Sequence, residues 1–305
     1  MKSSPSAAAL RELAGQPAAA ALATTILAGS PPKDLLLAAL KVLAEQPTPT
    51  ARPSLQTLYE RFSRNKGKQD QGGYMRRAIL ETARAIGHPD DAEWFAQGCA
   101  TYEFWPPDFA EDAVAIRAAA LVALAEVDDR QARLHAARLL VDPHTARMSG
   151  EPALSAARVL GALDELLTLY TLVCQNNPAT QPNTTLPPEV LGECLRQLHR
   201  LPGTAVGPLA DGYAAAPSAV VRMGLFDLLL HHPEGLYPRA LQLLEESQDL
   251  DLYRYMVVAI VLAGSPQPLE ALRQHARREH RRQRLAILQE NGIHWGTESR
   301  QSDPG

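Results

Sequence analysis

The side chains in this chain best suited to recognition are aromatic rings and arginines, and they are unevenly spread. Trp94, Phe95, Tyr102, Phe104, Trp105 and Phe109 fall within one short stretch, with Tyr74, Arg76 and Arg77 a little upstream, in a chain that is only 5% aromatic. Trp, Tyr and Arg gathered on a surface make the composition of a binding hot spot. Aromatic faces beside arginines could also stack nucleic-acid bases. Tyr74, Arg76, Arg77, Trp94, Tyr102 and Trp105 are therefore the candidate partner-binding residues. The competing reading is that the rings fill an irregular junction around Trp105-Pro106-Pro107. Aromatic residues carry most of their worth as buried bulk, so that reading is favoured for the cluster.

The strongest charge feature is RQHARREHRRQR, Arg273 to Arg284. On a continuous helix Arg273, Arg277, Arg281 and Arg284 form one stripe with Arg278 and Arg282 beside it, and Glu279 alone cannot neutralise them. Such a stripe could grip phosphates or an acidic partner. The favoured alternative is the polar outer face of a terminal repeat, where cations near a helix C-terminus complement its dipole.

Other chemistry finds little support. His231 and His232 are adjacent and point in different directions on a helix, and His275 and His280 are five residues apart and share a face badly. The chain has no HExxH, EF-hand loop or cysteine quartet, and no GxSxG or GxGxxG in a strand–turn–helix setting. Carboxylates such as Glu111, Asp112, Asp128, Asp129, Asp164, Glu165, Glu245 and Glu246 read as helix caps or solvated faces. No catalytic residue, metal ligand or cofactor site is assigned. Cys99, Cys174 and Cys194 are odd in number, far apart and without a CxxC pair. Reduced, partly buried thiols and a cytoplasmic location follow as the expectation.

The elements that must position these residues are short helices. Ala113 to Pro143 reads as two amphipathic helices across a tight turn. Ile116, Ala119, Ala120, Ala123, Leu124 and Val127 recur at three- and four-residue steps, Asp128 or Asp129 can cap the second helix, and Leu134, Ala137, Leu140 and Val141 repeat the pattern. Asp142-Pro143 then stops it. With Arg117 at position zero, Leu121 and Leu124 stand at plus four and plus seven. The frame recurs at Arg76 (Leu80, Ala83), Arg222 (Phe226, Leu229) and Arg254 (Val258, Val261), and more weakly at Leu36, Ser155 and Leu191. Anchor spacing runs from 31 residues (Leu191 to Arg222) to 41 (Arg76 to Arg117). Helix–turn–helix units at this period are a solenoid signature. The prediction is an all-α fold, an α-solenoid of about seven helix pairs forming a single domain over 1–292, with a polar tail over 293–305. Residues 175–188 (QNNPATQPNTTLPP) are a possible break between sub-blocks.

The pattern of hydrophobic-Arg, small residues, a short Asp/Pro/Gly turn and a Leu-rich helix resembles HEAT repeats, especially the short bacterial kind of phycobilisome lyases. The best matches are Ile116-Arg117-Ala118-Ala119 through Leu139-Leu140 and Val221-Arg222 through Leu243-Leu244, within a resemblance covering roughly residues 30 to 290. It implies that the recurring arginine lies near the turn and bonds acidic side chains or carbonyls of the adjacent unit, with Asp112 and Asp251 as the partners of Arg117 and Arg254. Arginine is missing at Ser155 and Leu191, so the middle units depart from the family pattern.

A repeat array of this kind points to a non-catalytic scaffold, a monomer, that binds a protein or peptide on its concave surface. The alternatives are a nucleic-acid binder resembling the HEAT-like alkylpurine DNA glycosylases, and a partner in bilin-lyase-type modification. The net charge of −4 argues mildly against nucleic acid. Residues 6–29 read as an Ala-rich helical pair, since Arg11, Glu12 and Pro17 break the apolar run that a signal peptide or membrane span needs. Ser30–Asp34 starts a helix reaching about Glu45, Gln46–Ser54 reads as a Pro-rich linker, and Ser63–Gly73 as a mobile polar loop whose Arg64, Lys66 and Lys68 are solvated.

Overall fold

Apolar residues at three- and four-residue steps become seventeen α-helices among the described residues of the computed structural model, which are 7–107, 110–180 and 186–293. The chain divides into two compact units, Met1–Asp164 and Glu165–Gly305. The first carries α1 (Ala7–Glu12), α2 (Pro17–Leu27), α3 (Lys33–Glu45), α4 (Arg52–Gly67), α5 (Tyr74–Ile86), α6 (Ala92–Cys99), α7 (Val114–Leu124), α8 (Asp129–Leu140) and α9 (Ala153–Ala162). The second carries α10 (Leu166–Gln175), α11 (Pro188–Gln197), α12 (Gly203–Tyr213), α13 (Ala219–Leu230), α14 (Tyr237–Glu246), α15 (Leu250–Ala263), α16 (Pro266–Arg278) and α17 (Arg282–Glu290).

In each unit alternate helices stack. In the first, α3, α5, α7 and α9 touch in succession, and α2, α4, α6 and α8 pack against them from a second layer. In the second, α11, α13, α15 and α17 follow the same order, with α10, α12, α14 and α16 behind. This order is compatible with an α-solenoid. All seven sequence frames fall on the first kind of helix, at Leu36 in α3, Arg76 in α5, Arg117 in α7, Ser155 in α9, Leu191 in α11, Arg222 in α13 and Arg254 in α15.

Local signals set the boundaries. Asp128 caps α8 by accepting from the Gln131 N–H at 2.9 Å, and this holds its carboxyl below the usual carboxylate range. Asp249 caps α15 through the N–H groups of Asp251 and Leu252. Gly87 ends α5 in the left-handed region at φ 66°, which costs glycine little.

Several expectations need correcting. Helix α4 begins at Arg52, inside the expected linker, and runs to Gly67, inside the expected mobile loop. Asp70 of that loop is buried and caps α5. In α8 the buried face is Ala132, Ala136, Leu139 and Leu140, whereas Leu134 and Val141 are 68% and 59% exposed. Of the expected residues, Leu140 keeps its place in the contact face, while Leu134 and Val141 turn outward. A two-stranded ribbon, β1 (Phe104–Trp105) antiparallel to β2 (Ala110–Glu111), interrupts the helices where no strand was expected. The basic run is broken at Glu279–Arg281, so Arg273 to Arg284 is not one helical stripe. Residues 181–185 of the 175–188 segment lie outside the described residues. Phe109, the Asn183-Thr184-Thr185 sequon and the tail beyond Ile293 lie outside the described residues.

Candidate functional site

In the first unit, two buried arginines fix the loops that frame a surface cleft. Arg76 leaves the first turn of α5. Its Nε donates to Asp70 Oδ2 at 3.0 Å, and its two terminal nitrogens meet the Glu103 carboxylate at 2.5 and 2.8 Å. Asp70 in turn accepts the Met75 and Arg76 N–H groups. Burial disfavours the Arg76 charge, but the bonds to Glu103 and Asp70 outweigh it and push its pKa above the ordinary arginine value. The guanidinium stays charged.

Arg117 repeats the device one layer on, with no side-chain exposure. It donates to Glu111 Oε2 at 2.8 Å and to the Thr101 carbonyl at 3.0 Å, and its Nε lies 3.2 Å from Asp142 Oδ2. Its face covers the Tyr102 ring at 4.1 Å. The Tyr102 hydroxyl donates to Asp142 at 3.0 Å. Burial, followed by Asp142, raises the Tyr102 pKa, so the phenol keeps its proton. Each arginine therefore ties the loop before its own helix to the loop before the next. The 100–113 connection is held by both.

Between these anchored loops opens a cleft of about 460 Å³. Its floor is the outward face of α7: Val114, Ala115, Ala118, Ala119 and Val122. Tyr74, Arg77, Glu81 and Arg84 of α5 form one wall, and Ala146, Ser149, Glu151 and Ser155 the other. Tyr74 is 70% exposed. Arg77 pairs with Glu81 at 2.7 Å and Arg84 with Glu126 at 2.6 Å, so the wall is charged but internally balanced. Glu151 is oriented by the Ser155 N–H, which it accepts at 3.1 Å. The cleft combines a shallow apolar floor with polar groups at its edges, which suits a chain segment bearing a small or medium apolar side chain.

The proposed partner-binding residues do not converge. Tyr74 and Arg77 line the cleft. Arg76 is structural, because an arginine engaged by two buried carboxylates has no free donor face for a ligand. Trp94 packs edge-on against Tyr59 of α4 and stacks on Phe95. Tyr102 is spent on Arg117, and Trp105 sits half-buried in β1. Of the basic candidates, Arg273, Arg277, Arg278, Arg281 and Arg282 are exposed, and Arg273 pairs with Glu270 at 3.5 Å. Arg284 is buried. It donates to the Glu245 and Ser247 carbonyls and to Glu279, with its face 4.5 Å from the Tyr253 ring. It belongs to the core, not the patch. The partners expected for the recurring arginines also differ: Asp112 accepts from the Gly72 N–H, while Arg254 pairs with Glu290.

Comparison with protein-family models, with curated proteins and with solved structures returns no match. The site is thus described by its own chemistry. Among the described residues no group of His, Cys, Asp or Glu is placed to hold a metal ion, and no helix is long and apolar enough to cross a membrane. Cys99 and Cys194 are buried, and burial pushes both thiols up to about 12, so neither offers a thiolate near neutral pH. Cys174 is exposed.

Sequence reasoning missed the floor of the cleft. The alanines of α7 signalled close packing, and Ala120 and Ala123 are buried as that reading requires. Ala115, Ala118 and Ala119 lie half-exposed on the other side. The usable signal was that α7 is apolar on all sides, so a single buried stripe could not account for it.

Proposed function

We propose that this chain is a non-catalytic helical-repeat scaffold, of the HEAT-like kind its sequence resembles, that receives a segment of a protein partner in the cleft over α7. The observation that carries this reading is the alanine-floored cleft of about 460 Å³ held between two arginine-anchored loops. A floor of Ala side chains lets a partner backbone approach closely. The fixed loops mean that little ordering has to accompany binding, which favours affinity. The paired charges along α5 offer both signs to a partner without strong net steering. A monomeric cytoplasmic protein is the setting this reading assumes.

The test places a carboxylate on the floor. Ala118→Glu is half-exposed and leaves the core intact, so its thermal melt should match that of the parent chain. Tagged parent and variant are used to capture proteins from the native lysate after nuclease digestion. Defined partners that bind the parent and are lost from the variant support the reading. An identical partner set for both chains rejects the cleft, and loss of every partner on nuclease treatment rejects protein recognition.

A further inference from the structure

The basic run of the second unit carries a surface that the cleft does not explain. Glu279, the one acid within it, is turned inward. Its side chain is 6% exposed, and it accepts from the His280 and Arg281 N–H groups at 2.9 and 2.8 Å and from Arg284 at 3.1 Å. Surrounding acids are also engaged: Glu270 with Arg273, Glu290 with Arg254, and Glu245 facing His275 at 3.5 Å. Arg277, Arg278, His280 and Arg282 are exposed, and among the described residues none has an ionic partner. Arg281 lies beside them with a 3.7 Å approach to Glu279. An end cap explains only part of this. Arg277 and Arg278 complement the C-terminal dipole of α16, but Arg281 and Arg282 stand at the N-terminus of α17, where a positive charge is unfavourable.

We propose that the edge formed by Arg277, Arg278, His280, Arg281 and Arg282 docks an acidic, Asp/Glu-rich segment of a partner protein. Four arginines and no lysine provide planar donor forks that match carboxylates bidentately. The local positive charge stands out against a chain of net charge −4, which would repel a long polyanion beyond this edge. The run from Arg277 to Arg282 contains no aromatic residue on which a base could stack, and this favours a peptide over a single-stranded nucleic acid. The proposal is independent of the cleft and can fail without it.

The test measures fluorescence anisotropy of a short labelled peptide of alternating Glu and Asp with the full chain, alongside an oligothymidylate of equal charge. Saturable peptide binding that weakens with salt is expected. Combining Arg277→Ala, Arg278→Ala and Arg282→Ala should weaken it about tenfold, as three exposed ion pairs would. Arg254→Ala, which removes an exposed but already paired cation, should leave it unchanged. All four side chains are exposed, so a matching circular-dichroism melt confirms that each variant folds. Absence of peptide binding at low salt, an equal loss with Arg254→Ala, or tighter binding of the oligonucleotide would each overturn the proposal.

Discussion

Arg117 in the first unit and Arg284 in the second occupy the same kind of place and are satisfied differently. Both are buried, and each guanidinium lies over a tyrosine, Tyr102 at 4.1 Å and Tyr253 at 4.5 Å. Arg117 meets two carboxylates, Glu111 and Asp142. Arg284 meets one, Glu279, and completes its bonding on the backbone carbonyls of Glu245 and Ser247. Arg76, with Asp70 and Glu103, follows the Arg117 pattern. The first unit thus locks consecutive loops by side-chain ion pairs; in the second, Arg196 of α11 pairs with Glu193 and, from helix to helix, with Asp227 of α13, and Arg284 is held largely by backbone. Loops fixed from both sides leave a defined opening between them, and it is in the first unit that the α7 cleft lies.

This contrast predicts a ranking of substitutions. Arg117→Met leaves Glu111 and Asp142 buried without their cation, and breaking a buried pair from one side costs about 3–5 kcal/mol. Arg284→Met strands one carboxylate and two carbonyls and should cost about 1–3 kcal/mol. Arg254→Ala removes only an exposed pair and should cost about 0–1 kcal/mol. Urea unfolding of the three variants gives the order directly. Equal losses for Arg117→Met and Arg254→Ala would mean that the buried network has no special role.

The units also differ in how their helices approach. A Cβ on Gly98 of α6 would meet the Ala120 Cβ of α7 at 2.6 Å, a side-chain methyl. A Cβ on Gly224 of α13 would run into the backbone carbonyl of Gly192 in α11. The Ala120 Cβ is as fixed to its backbone as a carbonyl is, but the approach at Gly98 is 2.6 Å and the one at Gly224 is closer still. Gly224→Ala should therefore cost about 1–3 kcal/mol through overpacking, even after the gain in helix propensity. Gly98→Ala should cost less, and thermal melts of both variants decide it. A larger loss at Gly98 would show that the α11–α13 crossing relaxes more readily than its backbone contact implies.

How much of this was legible in the sequence depends on what each residue's partner was. Helix placement was readable because it depends on neighbours three and four residues away, and all seven frames fall on alternate helices. The role of Asp70 was not. It sits in SRNKGKQDQGG, which reads as solvated loop, and its meaning comes from α5 folding back so that Arg76 and two N–H groups reach it. The break after Arg278 was equally hidden, because no glycine or proline marks it. Glu279 makes the turn by accepting the next two N–H groups, and this turns Arg284 inward. The cleft was obscured by alanine, whose small apolar side chain serves equally in a close helix contact and on an open floor.

The smallest expected effect separates the two arginine sites by pH. In the second a histidine ring nitrogen meets the tyrosine hydroxyl, whereas His144 of the first packs its ring edge-on against Tyr102 at 5.8 Å and donates only its backbone N–H to Asp142. His275 Nε2 lies 3.1 Å from the Tyr253 hydroxyl and 3.8 Å from Glu279 Oε2, the oxygen that Arg284 also meets at 3.1 Å, and Nδ1 lies 3.5 Å from Glu245. Burial lowers the His275 pKa, and the pull of the two carboxylates does not fully reverse it. The folded state therefore prefers neutral imidazole. Its contribution is fully present above the unfolded value of about 6.5 and is lost as pH falls through the lowered folded value. For Glu279, burial raises the pKa, but the Arg281 and His280 N–H groups and Arg284 outweigh it, leaving it lowered. Its contribution is present above the ordinary glutamate range and is lost only as pH falls through its lower folded value. Hydrogen exchange should thus show α15 to α17 losing protection in two steps on acidification, the first in the mildly acidic range. His275→Gln should remove that first step and leave the second, because glutamine can still bond the Tyr253 hydroxyl without taking up a proton. Equal early losses around Arg117 would mean that the first step does not belong to the imidazole beside Glu279.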